Sequence, residues 1–207
     1  MPNDSVDLCV SDIPYKLTGG GKGDGVNSKR PKGILKDNNQ IVIVPKFDEW
    51  LSDLYRVMKN GSHIYLMCNF RNLNELMNKS LSVGFKHVNL LVWEKNNCTP
   101  SQFYMKNCEY TLMLRKGQSK YINNIGGSKT VHKFNNIIGN KIHPTEKPVE
   151  LMGFYIENSS NENDIVLDMF MGSGSTGVAA KNLNRNFIGI ELDENYFNIA
   201  KQRIESI

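Results

Sequence analysis

The sequence has no long apolar segment and few cysteines. No uninterrupted apolar run reaches the roughly 18 residues that a membrane-spanning helix needs, and no basic segment followed by a hydrophobic one stands at the N-terminus. The four cysteines, Cys9, Cys68, Cys98 and Cys108, form no C-x-x-C pair. We therefore expect reduced, buried thiols, with neither disulfides nor a metal site, in a protein of the cytoplasm that does not enter a membrane.

Length and composition predict one domain. With 207 residues, of which 40% are hydrophobic and 22% charged, the chain is long enough for one well-buried core and short for two. We expect a single domain over residues 1–207.

Positive charge is concentrated in two segments. Residues 16–46 hold seven basic and two acidic residues, and residues 115–141 hold six basic residues and no acidic ones. The rest of the chain is net acidic, although the total charge is +4. Basic loops on an acidic body are typical of a protein that binds a polyanion. From charge alone, loops that only keep the protein in solution are an equally good explanation.

Hydrophobic periodicity predicts strands alternating with helices. The predicted strands are 6–10, 62–68, 87–93, 110–114, 164–168 and 186–191, and the predicted helices are 47–58, 73–83, 148–157, 175–183 and 194–204. This alternation predicts an α/β fold with a mostly parallel, doubly wound sheet. Strands 87–93 and 110–114 could form an antiparallel hairpin at its edge. Residues 116–141 show no periodicity, and a loop of that length is commonly functional or disordered.

A glycine-rich turn follows the predicted strand 164–168. Residues 172–177 match G-x-G-x-x-G between a strand and a helix, which is the context of a nucleotide-binding turn. Glu191 ends the next strand, nineteen residues after Gly172, where a carboxylate can accept hydrogen bonds from both hydroxyls of a ribose. These features fit a dinucleotide-dependent oxidoreductase, and a tight turn without a ligand is the structural alternative.

Two features of the surrounding sequence disfavour the oxidoreductase. A carboxylate at Asp168, before the glycines, would repel a pyrophosphate but attract a cation such as a sulfonium or an α-ammonium group. Only thirty residues follow Gly177, too few for the remaining strands of a two-halved dinucleotide fold.

A second turn, Asp12-Ile13-Pro14-Tyr15, follows the strand 6–10. An exocyclic amine on a nucleobase is a poor nucleophile because its lone pair is delocalised into the ring. The Asp12 carboxylate and the Ile13 carbonyl could each accept one N–H, Pro14 would stiffen the turn, and Tyr15 could stack on a flipped base. Alone, D-x-P-Y is more often an ordinary turn. Both turns, however, lie at carboxyl ends of predicted parallel strands, where open α/β sheets bind ligands.

Together the two turns resemble the DNA amino-methyltransferases, and their order is similar to that of the circularly permuted β group. Residues 12–15 resemble the family's D-P-P-Y, residues 168–174 its donor-binding D-x-F-x-G-S-G, and residues 143–148 its H-P-x-x-K-P segment. The resemblance covers nearly the whole chain and implies a Rossmann-like fold with S-adenosylmethionine as methyl donor. It implies donor contacts from Asp168, Phe170, Gly172, Ser173, Gly174, Glu191, His143, Thr145 and Lys147.

The resemblance further implies site-specific methylation of the exocyclic amine of a flipped base in double-stranded DNA. Asp12 favours adenine N6, because relatives that act on cytosine N4 more often have serine there. Cytosine N4 transfer, an RNA or protein-glutamine substrate, and a DNA-binding relative that has lost catalysis are the alternatives. A homodimer, and a restriction-modification role as opposed to protection of a mobile element or phage, are left open.

Target recognition is assigned to residues 116–141, assisted by the basic loop 16–46. The composition, rich in lysine and asparagine, suits an A·T-rich bacterial or phage source. The basic side chains expected to contact DNA are Lys16, Lys22, Lys29, Arg30, Lys32, Lys120, Lys129 and Lys133.

The sequence departs from the family pattern at two points. Ile13 replaces the first proline of D-P-P-Y, which is tolerable if that residue contributes only its carbonyl. We call residues 12–15 the acceptor turn. Members of the group usually have, before this turn, a strand that ends in Gly-Asp and contacts the donor's adenine. This sequence starts at Met1-Pro2-Asn3-Asp4-Ser5. We expect either a longer native chain or weaker donor binding.

Overall fold

The structure is a computed structural model, and it describes residues 1–14, 44–99, 103–139 and 146–207. The strands in these residues are β1 (Val6–Asp12), β2 (Met58–Cys68), β3 (Lys86–Thr99), β4 (Lys106–Arg115), β5 (Val131–Lys133), β6 (Ile165–Asp168) and β7 (Asn186–Gly189). They form a seven-stranded sheet in the order β5-β3-β4-β2-β1-β6-β7.

Strand β1 lies inside the sheet, between β2 and β6. It pairs in parallel with β2 on one side and with β6 on the other, and β6 pairs in parallel with β7. Strand β4 is antiparallel to both β2 and β3, whereas β5 is parallel to β3. All the described strands except β4 therefore point the same way. We call the side of the sheet where they end the carboxyl edge.

Five α-helices in the described part of the chain cover the sheet. They are α1 (Leu51–Val57), α2 (Phe70–Val83), α3 (Val149–Ser159), α4 (Ser175–Asn182) and α5 (Glu194–Glu205). The Asn69 side chain accepts the Asn72 N–H at the start of α2, and Gly84, with φ of 114°, ends it. Asp193 caps α5 by accepting the N–H groups of Asn195 and Tyr196. These are the polar and glycine signals that begin and end helices.

The two faces of the sheet carry separate apolar clusters. One face holds the buried side chains of α1 and α2, including Leu51, Leu54 and Leu76, packed with Cys9 and Ile64 of the strands. The opposite cluster joins α3 and α4 to the sheet through Leu151, Ile156, Ala179, Leu8 and Val10. A mostly parallel sheet with helices on both faces is the predicted architecture, and it is confirmed.

Several details differ from the prediction, including the ends of β3, which reaches Thr99, and of β7, which stops at Gly189. Strand β2 begins at Met58 and not at residue 62, and Gly61, with φ of 82°, lies inside it where the pairing with β1 is irregular. The antiparallel hairpin is present as β3 and β4, and the unpredicted β5 adds one more strand outside it. Of the free cysteines, Cys9 and Cys68 are buried, whereas Cys98 is exposed, so burial of all four was wrong.

Among the described residues, none of the helices is long and apolar enough to cross a membrane. The same residues contain no group of three or more histidine, cysteine, aspartate or glutamate side chains arranged to hold a metal ion.

Candidate active site

The carboxyl edge brings the two predicted turns together. Asp12 ends β1 and Asp168 ends the neighbouring strand β6. The hydroxyl of Ser11 donates a 2.6 Å hydrogen bond to Oδ1 of Asp168, although the two residues are 157 positions apart. The acceptor turn and the glycine turn therefore adjoin each other, as the sequence pattern predicts for two ligand-binding turns on neighbouring strands.

The carboxylate of Asp12 is held from one side. Its Oδ2 accepts a short hydrogen bond from the ammonium group of Lys147, whereas Oδ1 is buried and has no hydrogen-bond partner in the described part of the chain. Burial raises the pKa of Asp12 to about 6; Lys147 opposes this rise, and Glu109 and Asp168 add to it. Asp12 thus offers a carboxylate oxygen that lacks the donor a buried acceptor requires.

The next residues continue the turn into the core. The backbone N–H of Ile13 donates to the Met67 carbonyl at 3.2 Å, and the Ile13 side chain is buried in the cluster with α1 and α2. An isoleucine in place of the family's proline thus has a packing role here. Pro14 is half-buried. Tyr15, the residue expected to stack on the base, lies outside the described residues.

Asp168 is buried, and its carboxylate is occupied by the chain itself. Besides Ser11, its oxygens accept the Phe170 N–H at 3.1 Å and the Thr176 hydroxyl at 2.6 Å. Burial raises the pKa of Asp168 even though these hydrogen bonds favour its charged form. The expected contact of this carboxylate with a donor cation stays a prediction. The observed hydrogen bonds fasten the glycine turn to β1 and α4.

The glycines of the turn are required by backbone geometry and close packing. Gly174 has φ of 84°, and a Cβ there would lie 3.0 Å from the Ala200 Cβ of α5. A Cβ on Gly177 would lie 2.3 Å from Cδ1 of Ile204, also in α5. Gly172 has φ of 50°. The turn is therefore shaped by its left-handed residues and pressed against α5, and Ser173 within it is buried.

Glu191 and Phe170 flank the glycine turn. Glu191 Oε2 accepts the Gly172 N–H at 2.9 Å, and Oε1 accepts the Asp193 N–H at 2.9 Å. Each carboxylate oxygen keeps a further lone pair for a hydroxyl donor. The ring of Phe170 meets that of Trp50 edge to face, with ring centroids 5.6 Å apart. Trp50 was not among the predicted site residues, because its helical spacing in the sequence predicted only a core position.

Residues 146–148 connect the two turns. Glu146 accepts a 2.7 Å hydrogen bond from Arg203 of α5, and Arg203 also donates to the Ser173 carbonyl at 3.2 Å. The adjacent Lys147 reaches the acceptor side at Asp12. Lys147 was expected at the donor, and the structure places its ammonium group on the Asp12 carboxylate. His143 and Thr145 lie outside the described residues.

Lys147 is also one member of a buried charge cluster that the sequence did not predict. Its ammonium group lies 3.6 Å from Oε2 of Glu109, and Oε1 of Glu109 lies 3.0 Å from the Lys95 ammonium group. No sequence spacing relates these residues, since they come from β3, β4 and the segment before α3. Only the strand pairing brings them together.

The predicted DNA-contacting lysines lie at different places. Lys133 is exposed and pairs with Glu94 at 3.2 Å, just beyond the carboxyl edge. Lys129 is also exposed. The Lys120 carbonyl accepts from His63, whose β1 partner Leu8 stands four residues before Asp12, roughly 13 Å along the strand. This position does not favour a contact of Lys120 with DNA at Asp12. Lys16, Lys22, Lys29, Arg30 and Lys32 lie outside the described residues.

Part of the positive charge of residues 115–141 has a structural role. The Lys116 ammonium group lies 2.7 Å from Oδ1 of Asp4 and donates to the Met58 carbonyl at 2.7 Å. It also lies 4.7 Å from the centre of the Tyr55 ring. The net charge of residues 115–141 is therefore larger than the positive charge that this segment has available to bind a polyanion.

Comparison with known proteins shows to which family the chain belongs. Residues 6–202 match the family described as DNA methylase. The chain is 29% identical to the type II methyltransferase M.HinfI of Haemophilus influenzae, over 100% of this chain and 65% of that protein. It is 28% identical to the type II methyltransferase M2.DpnII of Streptococcus pneumoniae, over 100% of this chain and 85% of that protein.

A solved structure shares both sequence and fold. The M1.HpyAVI-SAM complex is 30% identical, with a TM-score of 0.70, and the match covers 96% of this chain and 89% of that one. The matches span nearly all of the sequence, and the acceptor and donor turns of the family adjoin each other in the structure. The chain therefore belongs to the DNA methylase family of N6 and N4 amino-methyltransferases.

Proposed function

We propose that this protein is a site-specific DNA methyltransferase that moves a methyl group from S-adenosylmethionine to adenine N6. The observation that carries the proposal is the Asp12 carboxylate, which has one buried oxygen without a hydrogen-bond partner among the described residues. This carboxylate adjoins the glycine turn through the Ser11–Asp168 hydrogen bond. An amine N–H would supply the missing donor.

The glycine turn suits S-adenosylmethionine. Gly172 and Gly174 take left-handed conformations, so the backbone can approach a ligand without an intervening Cβ. Glu191 lies two residues after β7, which ends at Gly189, and its carboxylate oxygens keep lone pairs for ribose hydroxyls. M1.HpyAVI has been solved in a complex with SAM. When bound, S-adenosylmethionine supplies an electrophilic methyl group on its sulfonium.

The acceptor turn would prepare the amine for attack. Asp12 and the Ile13 carbonyl each accept one amine N–H, which draws the nitrogen toward a tetrahedral geometry and frees its lone pair. Tyr15 stacks on the flipped base, and Pro14 restricts the turn. The contribution of these residues is positioning and preorganised electrostatics, and it requires no early proton abstraction. The base must leave the duplex, because a paired amine cannot meet Asp12.

Adenine is favoured over cytosine by the acidic residue at position 12. An aspartate accepts a hydrogen bond more strongly than a serine hydroxyl does, because its charge assists the bond. Cytosine N4 is the second candidate, since the family includes both N6 and N4 enzymes.

DNA would approach the carboxyl edge. Lys129 and Lys133 are exposed, and Lys133 lies next to the strand that carries Lys95. Phosphate contacts from such lysines supply affinity that falls steeply with salt. We assign target recognition to residues 116–141, of which 134–139 follow β5 at this edge, together with the basic loop 16–46, and we propose that residues 1–207 act as a single domain.

The test is product analysis. The protein is incubated with S-adenosylmethionine and unmethylated bacterial DNA, and the digested nucleosides are examined by mass spectrometry. We expect N6-methyladenine, formed about 10²–10³ times more slowly by Asp12→Asn. N4-methylcytosine as the product would overturn the base assignment while keeping the reaction. Absence of both products, from protein that binds DNA, would overturn the activity and indicate a relative that only binds.

A further inference from the structure

Four charged side chains form an alternating chain that ends at Asp12. Lys147 donates to Asp12 Oδ2, Glu109 Oε2 lies 3.6 Å from the Lys147 ammonium group, and Lys95 donates to Glu109 Oε1 at 3.0 Å. The order of charges is negative, positive, negative, positive. The cluster is neutral as a whole, although each member has a strong local field.

The two lysine side chains of this chain are shielded from water. The side chains of Lys147 and Lys95 are 7% and 9% exposed to solvent, and those of Asp12 and Glu109 are 20% and 26% exposed. A buried ammonium group is costly unless it is paired, so the two carboxylates that flank Lys147 fix its position. Lys147 in turn fixes one oxygen of Asp12 and leaves Oδ1 for another donor.

The strands make this geometry rigid. Asp12 is paired in register with Met67 at the end of β2, and the next strand, β4, carries Glu109 one residue beyond the Cys68–Tyr110 pair. Lys95 stands on β3, which pairs with β4. Lys147 alone comes from outside the sheet, and the neighbouring Glu146–Arg203 ion pair of 2.7 Å holds its backbone segment against α5.

We propose that Lys147, clamped by Glu109, is a positioning residue that keeps Asp12 ionised and turns its Oδ1 toward the acceptor amine. This inference rests on the proposed function and assigns a separate role to each of the four residues. Asp12 touches the substrate, Lys147 orients Asp12, and Glu109 with Lys95 holds Lys147. Lys147 therefore belongs to the acceptor side of the reaction and not to donor binding.

The sign of the electrostatic effect follows from the groups that face Asp12. Lys147 favours the charged carboxylate, whereas Glu109 on β4 and Asp168 on β6 disfavour it. Cys68 on β2 is a neutral thiol, because burial raises its pKa to about 12. Removing the Lys147 charge leaves burial and two like charges acting on Asp12. The carboxylate must then protonate at a higher pH than in the parent protein.

The effect on the reaction is measured by the pH dependence of single-turnover methyl transfer. A nearby opposite charge moves a carboxyl pKa by about one to three units. We expect Lys147→Met to shift the acid limb of the profile upward by that amount. With a shift of about two units from 6, roughly a tenth of Asp12 stays ionised at pH 7, so the rate falls about tenfold and recovers at higher pH.

Two further variants separate charge from packing. Lys147→Arg keeps the positive charge, so its acid limb should stay near that of the parent protein even if the plateau rate falls. Glu109→Gln removes a charge that disfavours ionised Asp12, so the acid limb of its profile should move to lower pH. Loss of the Glu109–Lys147 ion pair should also lower the plateau rate. Opposite shifts from Lys147→Met and Glu109→Gln would not arise from a general loss of structure. Should Lys147→Met fail to fold, these two variants decide the question.

The control is Lys79→Met. Like Lys147, Lys79 forms an ion pair with an aspartate. Its ammonium group lies 2.7 Å from Oδ2 of Asp48, but its side chain is exposed at the surface. We expect no change in its pH profile. Affinity for S-adenosylmethionine, measured by calorimetry in the absence of DNA, should stay within about twofold of the parent in Lys147→Met. An unchanged pH profile in Lys147→Met, or a loss of donor affinity equal to the loss of rate, would overturn the inference.

A direct titration distinguishes failure of the inference from failure of the proposed function. The Asp12 carboxyl carbon is followed by NMR in aspartate-labelled protein and assigned with Asp12→Asn. An upward shift of its titration in Lys147→Met supports the electrostatic coupling even if the parent protein transfers no methyl group, in which case the proposed function alone fails. An unshifted titration contradicts the inference whatever the activity.

Discussion

The Ser11 hydroxyl donates a 2.6 Å hydrogen bond to Asp168 Oδ1, so the residue before the acceptor aspartate is fastened to the glycine turn. Both partners are buried. Because β1 and β6 are parallel neighbours, this bond joins the two turns that follow them at the level where the strands end. It fixes the distance between them before any ligand arrives.

Replacing Ser11 with alanine removes one of the three donors to the buried Asp168 carboxylate. We expect the free energy of unfolding to fall by about 1–3 kcal/mol, because a buried charged acceptor loses a hydrogen bond. Urea denaturation measures the loss. Ser82→Ala, which removes an exposed hydroxyl bonded to the Lys79 carbonyl, is the matched control and should change stability little. Equal stability of the Ser11→Ala and parent proteins would contradict this role.

Replacing Asp12 with asparagine keeps the shape of the side chain but removes its charge. We expect the rate of methyl transfer to fall by a factor of about 10²–10³, as for loss of a preorganised electrostatic group. Donor affinity should be nearly unchanged, since the donor turn is built from other residues. Asp53→Asn, at an exposed pair with Arg56, serves as control. Parent-like transfer by Asp12→Asn would refute the assigned role.

Two glycines with nearly the same φ separate backbone strain from steric conflict. Gly174 and Gly61 have φ of 84° and 82°, but a Cβ on Gly61 meets nothing within 4 Å, whereas one on Gly174 lies 3.0 Å from Ala200. Gly61→Ala should cost about 1–2 kcal/mol from conformation alone. Gly174→Ala should cost more and also weaken donor binding. Thermal denaturation and calorimetry compare the pair, and equal losses would rule out the conflict with α5.

Buried histidines should make the protein sensitive to acid. Burial lowers the pKa of His63 and of His132 below the ordinary value. Below about pH 6.5 the unfolded chain binds protons that the folded chain does not, so stability falls as pH falls through this range. Asp12 acts in the opposite direction, because its folded pKa of about 6 lies above the ordinary value and it takes up a proton while folded.

The variant His132→Gln isolates the histidine contribution. His132 hydrogen-bonds the Tyr155 hydroxyl at 2.9 Å, and a glutamine amide can make a similar bond without titrating. We expect the difference in unfolding free energy between pH 7.5 and pH 5.5 to shrink by an amount on the order of 1 kcal/mol relative to the parent. Denaturant unfolding at the two pH values measures it. A slope identical to that of the parent would show that His132 is not responsible.

The sequence predicted most of the sheet because its strands are apolar runs that end in polar residues or glycine. β6 and the glycine turn were placed within one or two residues for this reason. β2 was begun too late, because Asn60-Gly61 resembled a helix stop; the glycine instead sits at an irregular point of the strand. β5 has three residues and no apolar pattern, and it is a strand only because β3 pairs with it.

The candidate site was predicted only as far as local sequence carries it. The two turns have recognisable local patterns, so Asp12 and the glycines could be found. The charge cluster could not, because the pairing of Lys147 with Asp12 spans 135 positions and depends on which strands adjoin. Asp168 is a second example of a residue whose contacts were not predicted. Its position at the strand end was predicted, but its hydrogen bond from Ser11 joins residues 157 positions apart and could not be read from local sequence.

The strand order also affects how a newly made chain acquires this site. β6 is synthesised about 150 residues after its partner β1, so the side of β1 that pairs with β6 stays unpaired while those residues are made. Such long-range pairing forms slowly, and an exposed apolar strand edge can associate with other chains. A nascent chain released before β6 would contain residues 12–15 but not the glycine turn at residues 172–177. Premature termination therefore yields an aggregation-prone fragment and not a partly active enzyme.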